Sequence, residues 1–236
     1  KKMPDLNNFI LQSKKEFSIG DNIINFHPID SSKNKISGHT TNMADILIKY
    51  NDNVEVVNAD NNGYFECTLE NTISDGTEIE LISNVASSFI YGTRIVTSPY
   101  NGELSLMDTT KIFNFSLVPI SSNPIIFGKS ESISLVVVDS RINSSEWKIY
   151  AYMEKPLTSQ NGYTLPGVLV FKKLDDETIS LNETPSLVFK GTNNNGDAKR
   201  TLITWSKEKG PLLDLTNNAL EANEEYFAEV IFLLEE

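Results

Sequence analysis

Apolar and polar residues alternate along most of the chain with the period of two that is typical of β-strands. In the segment 44–50 every second residue is apolar, and Val54 and Val56 continue the alternation after the turn residues 51–53. A continuous apolar run such as Leu135-Val136-Val137-Val138 has the length of a buried strand. This pattern predicts short strands rather than amphipathic helices.

Turn residues separate the strands of the first half. Asp60-Asn61-Asn62-Gly63 predicts a hairpin turn, since Asn and Gly tolerate positive φ. In the strand 64–69 that follows, Cys67 alternates with apolar neighbours, which predicts a buried and unreactive thiol. Strands that recur about every 8–12 residues with turns between them indicate a β-sandwich.

The strands of the second half are longer. In the segment 146–153, Trp147 and Ile149 are predicted to share one face, opposite Tyr150 and Tyr152. The composition agrees, because the chain is rich in Ile, Val and Thr and poor in Ala. We therefore predict an all-β protein with two β-sandwich domains in tandem.

Composition also limits the chemistry. The chain has 236 residues and a net charge of -12, so it lacks the basic footprint of a nucleic-acid-binding protein. One cysteine and two histidines are too few for a Cys-rich or His-rich metal centre, and no cofactor motif is found. The apolar runs have the length of strands, which predicts no membrane insertion.

The charge is unevenly distributed, and this suggests a division of the chain. Residues 22–108 contain 12 acidic and 4 basic side chains, whereas both signs are frequent in 109–236. We expect one domain in 22–108 and a larger one in 109–236. Residues 1–21 fit neither, and are either an N-terminal arm that pairs with a strand or the remnant of a preceding domain.

The segment 22–108 resembles the bacterial immunoglobulin-like repeats of Gram-positive surface proteins. The resemblance lies in turn-forming motifs that follow in order along the chain: Ile36-Ser37-Gly38, Ala59-Asp60-Asn61-Asn62-Gly63-Tyr64-Phe65 and Asp75-Gly76-Thr77. Because these motifs meet the requirements of turns, they imply an immunoglobulin-like fold and say little about a ligand.

The segment 109–236 resembles the WxL domain, which holds proteins non-covalently on Gram-positive cell walls. The resemblance lies in landmarks that occur in order: Leu117-Val118-Pro119, Ile126-Phe127-Gly128, Val138-Asp139-Ser140-Arg141, Trp147-Lys148-Ile149, Leu165-Pro166-Gly167 and Phe232-Leu233-Leu234. The family is named for two Trp-x-Leu motifs. Here they are Trp147-Lys148-Ile149 and Phe232-Leu233-Leu234, each with one hydrophobic exchange.

The resemblance implies a non-catalytic, extracellular and wall-associated protein. Its partner would be peptidoglycan or another wall polymer, with other surface proteins as further partners. No signal-peptide pattern is found at the start of the sequence. The extracellular location is therefore expected from the resemblance alone. An alternative is an adhesin that recognises a host or cell-surface protein through an edge strand.

The candidate contact residues each have a structural alternative. The candidates for contact with the wall or a partner are Asp139, Arg141, Trp147, Ile149, Trp205, Phe232 and Leu234. For the aromatic and aliphatic members we favour packing in a hydrophobic core, because Trp147 alternates with apolar neighbours and Phe232 and Leu234 lie in an uninterrupted apolar strand. The charged pair could grip a peptide carboxylate or stabilise a loop as a salt bridge. No motif for catalysis is found, and a carbohydrate-active enzyme remains a distant option.

Overall fold

The prediction of an all-β protein is confirmed by a computed structural model of the chain. The structure describes residues 9–15, 24–85, 88–109, 112–115, 126–143, 146–193, 198–216 and 226–236. Within these ranges the regular elements are all strands, and none of the described segments is a helix able to cross a membrane.

The strands are numbered along the chain. Those of the first half are β1 (Phe9–Lys15), β2 (Asn25–Phe26), β3 (Lys35–His39), β4 (Asp45–Tyr50), β5 (Asn53–Asn58), β6 (Tyr64–Thr68), β7 (Glu78–Val85), β8 (Ser88–Thr97), β9 (Leu104–Thr109) and β10 (Ile112–Asn114). Those of the second half are β11 (Ile126–Phe127), β12 (Ile133–Asp139), β13 (Glu146–Tyr152), β14 (Leu157–Ser159), β15 (Thr164–Leu165), β16 (Leu169–Lys172), β17 (Thr178–Ser180), β18 (Ser186–Thr192), β19 (Lys199–Trp205), β20 (Gly210–Asp214) and β21 (Tyr226–Glu235).

Two sheets of the first half share one hydrophobic core. Their strand orders are β2-β3-β6 and β5-β4-β7-β8. Ile46 and Ile48 of the second sheet pack in the same cluster as Phe65 and Cys67 of the first. The predicted burial of Cys67 is confirmed, and burial raises the pKa of its thiol. A raised pKa reduces the thiolate fraction on which reactivity depends.

The turn at 60–63 is present, but the predicted hairpin is wrong. The Asp60 carboxylate accepts hydrogen bonds from the backbone of Asn62 and Tyr64, and Gly63 has a φ of 80°. The strands on either side, however, belong to different sheets, because β5 pairs with β4 and β6 pairs with β3. A Cβ at Gly63 would overlap the carbonyl oxygen of Thr40, so this crossing between the sheets requires glycine.

Val54 and Val56 also depart from the simple alternation. The turn between β4 and β5 pairs Val54 with Lys49 and Val56 with Leu47. Both valines therefore lie on the face opposite the buried Ile46 and Ile48, and their exposed fractions are 55% and 69%. The register of a hairpin decides the face, and a count along one strand does not reveal it.

The second half builds a larger core from three sheets. Their main strand orders are β10-β1-β21-β13-β18, β11-β20-β16-β17 and β19-β12-β9, and β14 joins the first sheet by pairing with β21. Trp147 comes from the first sheet, Phe171 from the second and Trp205 from the third, and all three lie in one cluster of buried residues.

The N-terminal segment contributes a strand to this second half. β1 lies between β10 and β21, antiparallel to the first and parallel to the second. Its register places Phe9 opposite Tyr226 and Lys15 opposite Phe232, so β1 covers most of one edge of β21. The predicted strand at 17–19 lies outside the described residues.

The first cluster of buried residues ends, and the second begins, before the predicted domain boundary at residue 108. The first cluster ends at Val96 with Tyr100 packed against it, and the second begins with Leu104 and Leu106 of β9. β9 spans the predicted boundary and pairs with β12, so its side chains belong to the second half. The division into two domains stays a prediction, and any fragment of the second half must include β9.

Buried polar groups connect the two halves. The fully buried Asn25 donates through Nδ2 to Ser105 Oγ at 2.8 Å and to the Glu103 carbonyl at 3.2 Å. Ser140 Oγ donates to the Phe26 carbonyl at 2.6 Å and accepts from the Glu103 backbone N–H at 3.0 Å. Glu103 also forms an ion pair with Arg94 at 2.5 Å. These contacts are called the junction below.

Candidate functional site

The two segments that resemble Trp-x-Leu motifs lie side by side in the structure. The first is on β13 and the second on β21, and these strands are antiparallel neighbours. In their register Ile149 is opposite Leu234, and Ala151 is opposite Phe232. Opposed residues of a sheet share a face, so the first and third residues of both segments point to the same side of the sheet.

Trp147 points into the core, and only 1% of the residue's surface is exposed. The ring stacks on Phe189 with 5.6 Å between centroids. On the neighbouring strand β18, a Cβ at Gly191 would overlap the indole, so the absence of a side chain there makes room for the ring. Trp147 therefore offers no face to a sugar in this structure.

Trp205 and Phe232 meet in the same core, although they come from different sheets. Their rings stack with 5.9 Å between centroids, and Phe171 packs edge-on against both at 5.4 and 6.3 Å. Ile149 is fully buried, and Leu234 is partly buried against the same cluster. The structure therefore places the apolar candidates of the sequence in or against the core.

Asp139 and Arg141 form a two-pronged ion pair. Arg141 donates from Nε and Nη2 to the two carboxylate oxygens of Asp139 at 2.9 and 2.8 Å, and Nη1 lies 3.2 Å from Glu236. The bonds to Asp139 raise the pKa of Arg141. Since the guanidinium already has two carboxylate partners, its arrangement is that of a structural salt bridge.

The opposite face of the same two strands carries polar and aromatic side chains. Lys148, Tyr150 and Tyr152 of β13 are partly exposed on it, as is Leu233 of β21. These four residues are called the outer face below. The alternation in 146–153 already separated the three residues of β13 from the core positions, but without the pairing to β21 the sequence did not group them with Leu233 as one surface.

A groove opens on the same side of the sheet, at the end of β21 that lies nearer its first residue. It has a volume of about 420 Å³. Its lining combines charged and apolar side chains, namely Glu154, Lys155, Pro156, Thr158, Phe227, Ala228 and Glu229. No residue of this groove was among the candidates from the sequence, because its two sides are far apart along the chain.

A buried histidine pair lies in the first half. His27 Nε2 and His39 Nδ1 are 2.7 Å apart, and Tyr64 packs against both rings. Ser37 Oγ lies 3.2 Å from the other ring nitrogen of His27. Among the described residues, no group of three or more potential ligands could hold a metal ion.

Burial keeps both imidazoles neutral. It lowers the pKa of His27 to about 3, and the charge of His39 acts in the same direction. Burial and the charge of Arg200 lower the pKa of His39 to about 4, although Asp60 opposes this. The ordinary histidine pKa is about 6.5, so the unfolded chain binds protons at a pH where the folded chain does not.

We expect the histidine pair to make the protein sensitive to mild acid. The folded pKa values lie below the unfolded value, so the stabilisation is complete above about pH 6.5 and is lost as the pH falls towards 4. The slope is at most about 1.4 kcal/mol per pH unit for each imidazole. Urea unfolding at pH 7 and pH 5, compared with the double variant His27→Gln/His39→Gln, measures the difference. Equal pH dependence of the two proteins would contradict the prediction.

The chain matches no protein-family model and no curated protein. The functional proposal below therefore depends on the motifs, the strand pairing and the surfaces of this chain alone.

Proposed function

We propose that the protein is a non-catalytic cell-surface protein. In this proposal the second half attaches non-covalently to the peptidoglycan cell wall, and the first half is an immunoglobulin-like spacer. The observation that carries the proposal is the register of β13 and β21, which brings two sequence-distant motifs of the WxL type together on adjacent strands. Motifs that meet in this way form one structural unit.

The outer face of these strands is the proposed contact surface. Trp147, Ile149 and Phe232 support it from the core side, and Tyr150 and Tyr152 stand on the exposed side. Partly exposed tyrosines combine an apolar ring with a polar tip, which suits contact with amphipathic ligands. The net charge of -12 would repel anionic wall polymers at low salt, so attachment must come from such specific contacts.

Sedimentation of the full chain with purified peptidoglycan tests the proposal. We expect the protein to be found in the pellet, and Tyr150→Ala to weaken binding by about fivefold to tenfold, as truncation of a contact aromatic does. Tyr163→Ala is the matched control, because Tyr163 is an exposed tyrosine outside the outer face.

A melting curve of each variant shows that it is folded. A folded chain that stays in the supernatant would contradict wall attachment. Release of soluble wall fragments during the assay would instead indicate an enzyme.

The second candidate function is adhesion to a protein partner, and a surface of the first half favours it. On the outward side of β5-β4-β7, the register aligns Val56, Leu47 and Ile82 in one apolar row. Val54 and Ile95 are also exposed on this side, at the two ends of the neighbouring row, and the Lys49–Glu80 ion pair lies between them. Exposed apolar surface of this kind is common at protein interfaces. Wall attachment is expected to be unaffected by Val56→Ser, whereas an adhesin would lose partner binding.

A further inference from the structure

The groove arises from a break in strand pairing along β21. β13 pairs with β21 as far as Tyr152 opposite Ile231, and β14 resumes with Thr158 opposite Phe227. Between these points five residues of one segment (153–157) face three of the other (228–230), and no ladder pair joins them. The other edge of β21 is covered by β1 along the same stretch.

The break leaves main-chain hydrogen-bonding groups directed into the groove. Successive residues of a strand direct their N–H and C=O groups to alternate edges. At least one residue of 228–230 therefore directs both groups away from β1 and towards the gap. An extended peptide can use such groups as a neighbouring strand would.

The charged side chains around the groove have no partner among the described residues. Glu154 and Glu229 contribute two carboxylates, and Lys155 contributes one ammonium group. None of the three forms a hydrogen bond or ion pair with a described residue, in contrast to Lys172 and Lys209, which both pair with Asp176. Their charges are available to a ligand.

The apolar part of the lining lies with these charges. Phe227 and Ala228 come from β21, and Pro156 comes from the segment that loops away from it. An aliphatic chain would remove apolar surface from water here. At the same time a terminal amine would reach the carboxylates, and a neighbouring carboxylate would reach Lys155.

We propose that this groove binds an extended peptide that carries an aliphatic primary amine and a carboxylate. The inference rests on the proposed wall attachment, and within it the peptide portion of peptidoglycan, rather than the sugar portion, would occupy the groove. The main chain of β21 would bond to the peptide backbone. Glu154 and Glu229 would receive the amine, and Phe227 would pack against its aliphatic stem.

A titration followed by amide NMR tests the groove directly. The probe is the soluble peptide acetyl-alanyl-lysyl-alanine, added to the full chain. We expect saturable shifts at the amides of 154–158 and 227–229, and Glu229→Gln should weaken binding by about threefold to fivefold, as loss of an exposed charge pair does. Glu131→Gln, an exposed carboxylate on the loop before β12, should leave the affinity unchanged.

Two further probes separate the peptide from other ligands. The same peptide with an acetylated lysine amine should bind at least about fivefold more weakly, because the carboxylates lose their counter-charge. A chitotetraose glycan should cause no shifts in the groove. Equal binding of the acetylated peptide, groove shifts with the glycan alone, or equal affinity of the Glu229→Gln and Glu131→Gln proteins would overturn the inference.

Sedimentation with peptidoglycan, run in parallel, distinguishes this inference from the proposed function. If the protein sediments but the peptide causes no shifts, wall attachment stands and the groove inference fails. If the peptide binds but the protein does not sediment, the groove inference stands and wall attachment fails.

Discussion

Trp147→Ala is expected to lower the free energy of unfolding by roughly 3–5 kcal/mol, because it removes a buried indole from a packed core. The ring stacks on Phe189 and lies directly over Gly191, so the cavity left behind cannot be filled by a small shift of one neighbour. Chemical denaturation of the two proteins measures the difference. A loss below about 1 kcal/mol, with wall binding abolished, would instead identify Trp147 as a contact residue.

A double-mutant cycle with Gly191 sharpens this test. Gly191→Ala alone should cost about 1–3 kcal/mol, since its Cβ would overlap the indole and the ring is held by its neighbours. In the Trp147→Ala background the same change should be neutral or slightly stabilising, because the overlap is gone and Ala restricts the unfolded chain. Additive effects of the two changes would show that the two residues do not share this space.

Asn25→Ala is expected to lower the free energy of unfolding by about 1–3 kcal/mol, and to do so by weakening the junction between the halves. The change removes the donor to Ser105 Oγ and one of the donors to the Glu103 carbonyl, which keeps the bond from the Ser140 backbone N–H at 2.9 Å. Loss of bonds to such buried acceptors carries a desolvation cost. Because these acceptors belong to the second half and Asn25 to the first, the thermal transitions of the two halves should separate. Calorimetry detects such a separation.

Asn34→Ala is the matched control for the junction. Asn34 also donates from its side-chain amide to a backbone carbonyl, that of Leu69, but this bond lies within the first half. Its loss should cost about 0.5–1.5 kcal/mol and leave the shape of the transition unchanged. Equal effects of the two variants would mean that the junction does not couple the halves.

A coupled junction would matter for the proposed function. A spacer holds its outer end at a defined position only if its halves do not bend freely, and buried hydrogen bonds resist bending more than an exposed linker does. At Gly102, next to Glu103, φ is 81°, and a Cβ would overlap the carbonyl oxygen of Ser140. The two chain segments therefore approach each other as closely as glycine allows.

Much of the strand content could be predicted from the sequence, because alternation is a local property. Which side chains share a face of β4, β6 and β13 follows directly from a period of two, since the buried Ile46, Cys67 and Trp147 each lie between more exposed neighbours. The turn at 60–63 was likewise predictable from its Asn and Gly residues. These features depend only on neighbours along the chain.

Pairing between strands could not be predicted in the same way. The sequence indicated a hairpin at 60–63, but the turn crosses between two sheets, because the flanking strands gain more by pairing with β4 and β3. Val54 and Val56 fit an apolar alternation, yet the register of β5 exposes them. Such choices depend on packing between segments that are distant along the chain.

The sequence by itself determined that this is an all-β protein, which side chains share a face of each strand, and where several tight turns lie, because local sterics and alternation suffice for these. Only the tertiary structure decided that Trp147 and Phe232 face a core while Tyr150 faces outward, since the face that is covered depends on the other sheets. The tertiary structure also determined the position of the groove. The groove exists because the facing segments 153–157 and 228–230 differ in length between two paired stretches of strand. That mismatch is a property of two segments together, and neither contains it alone.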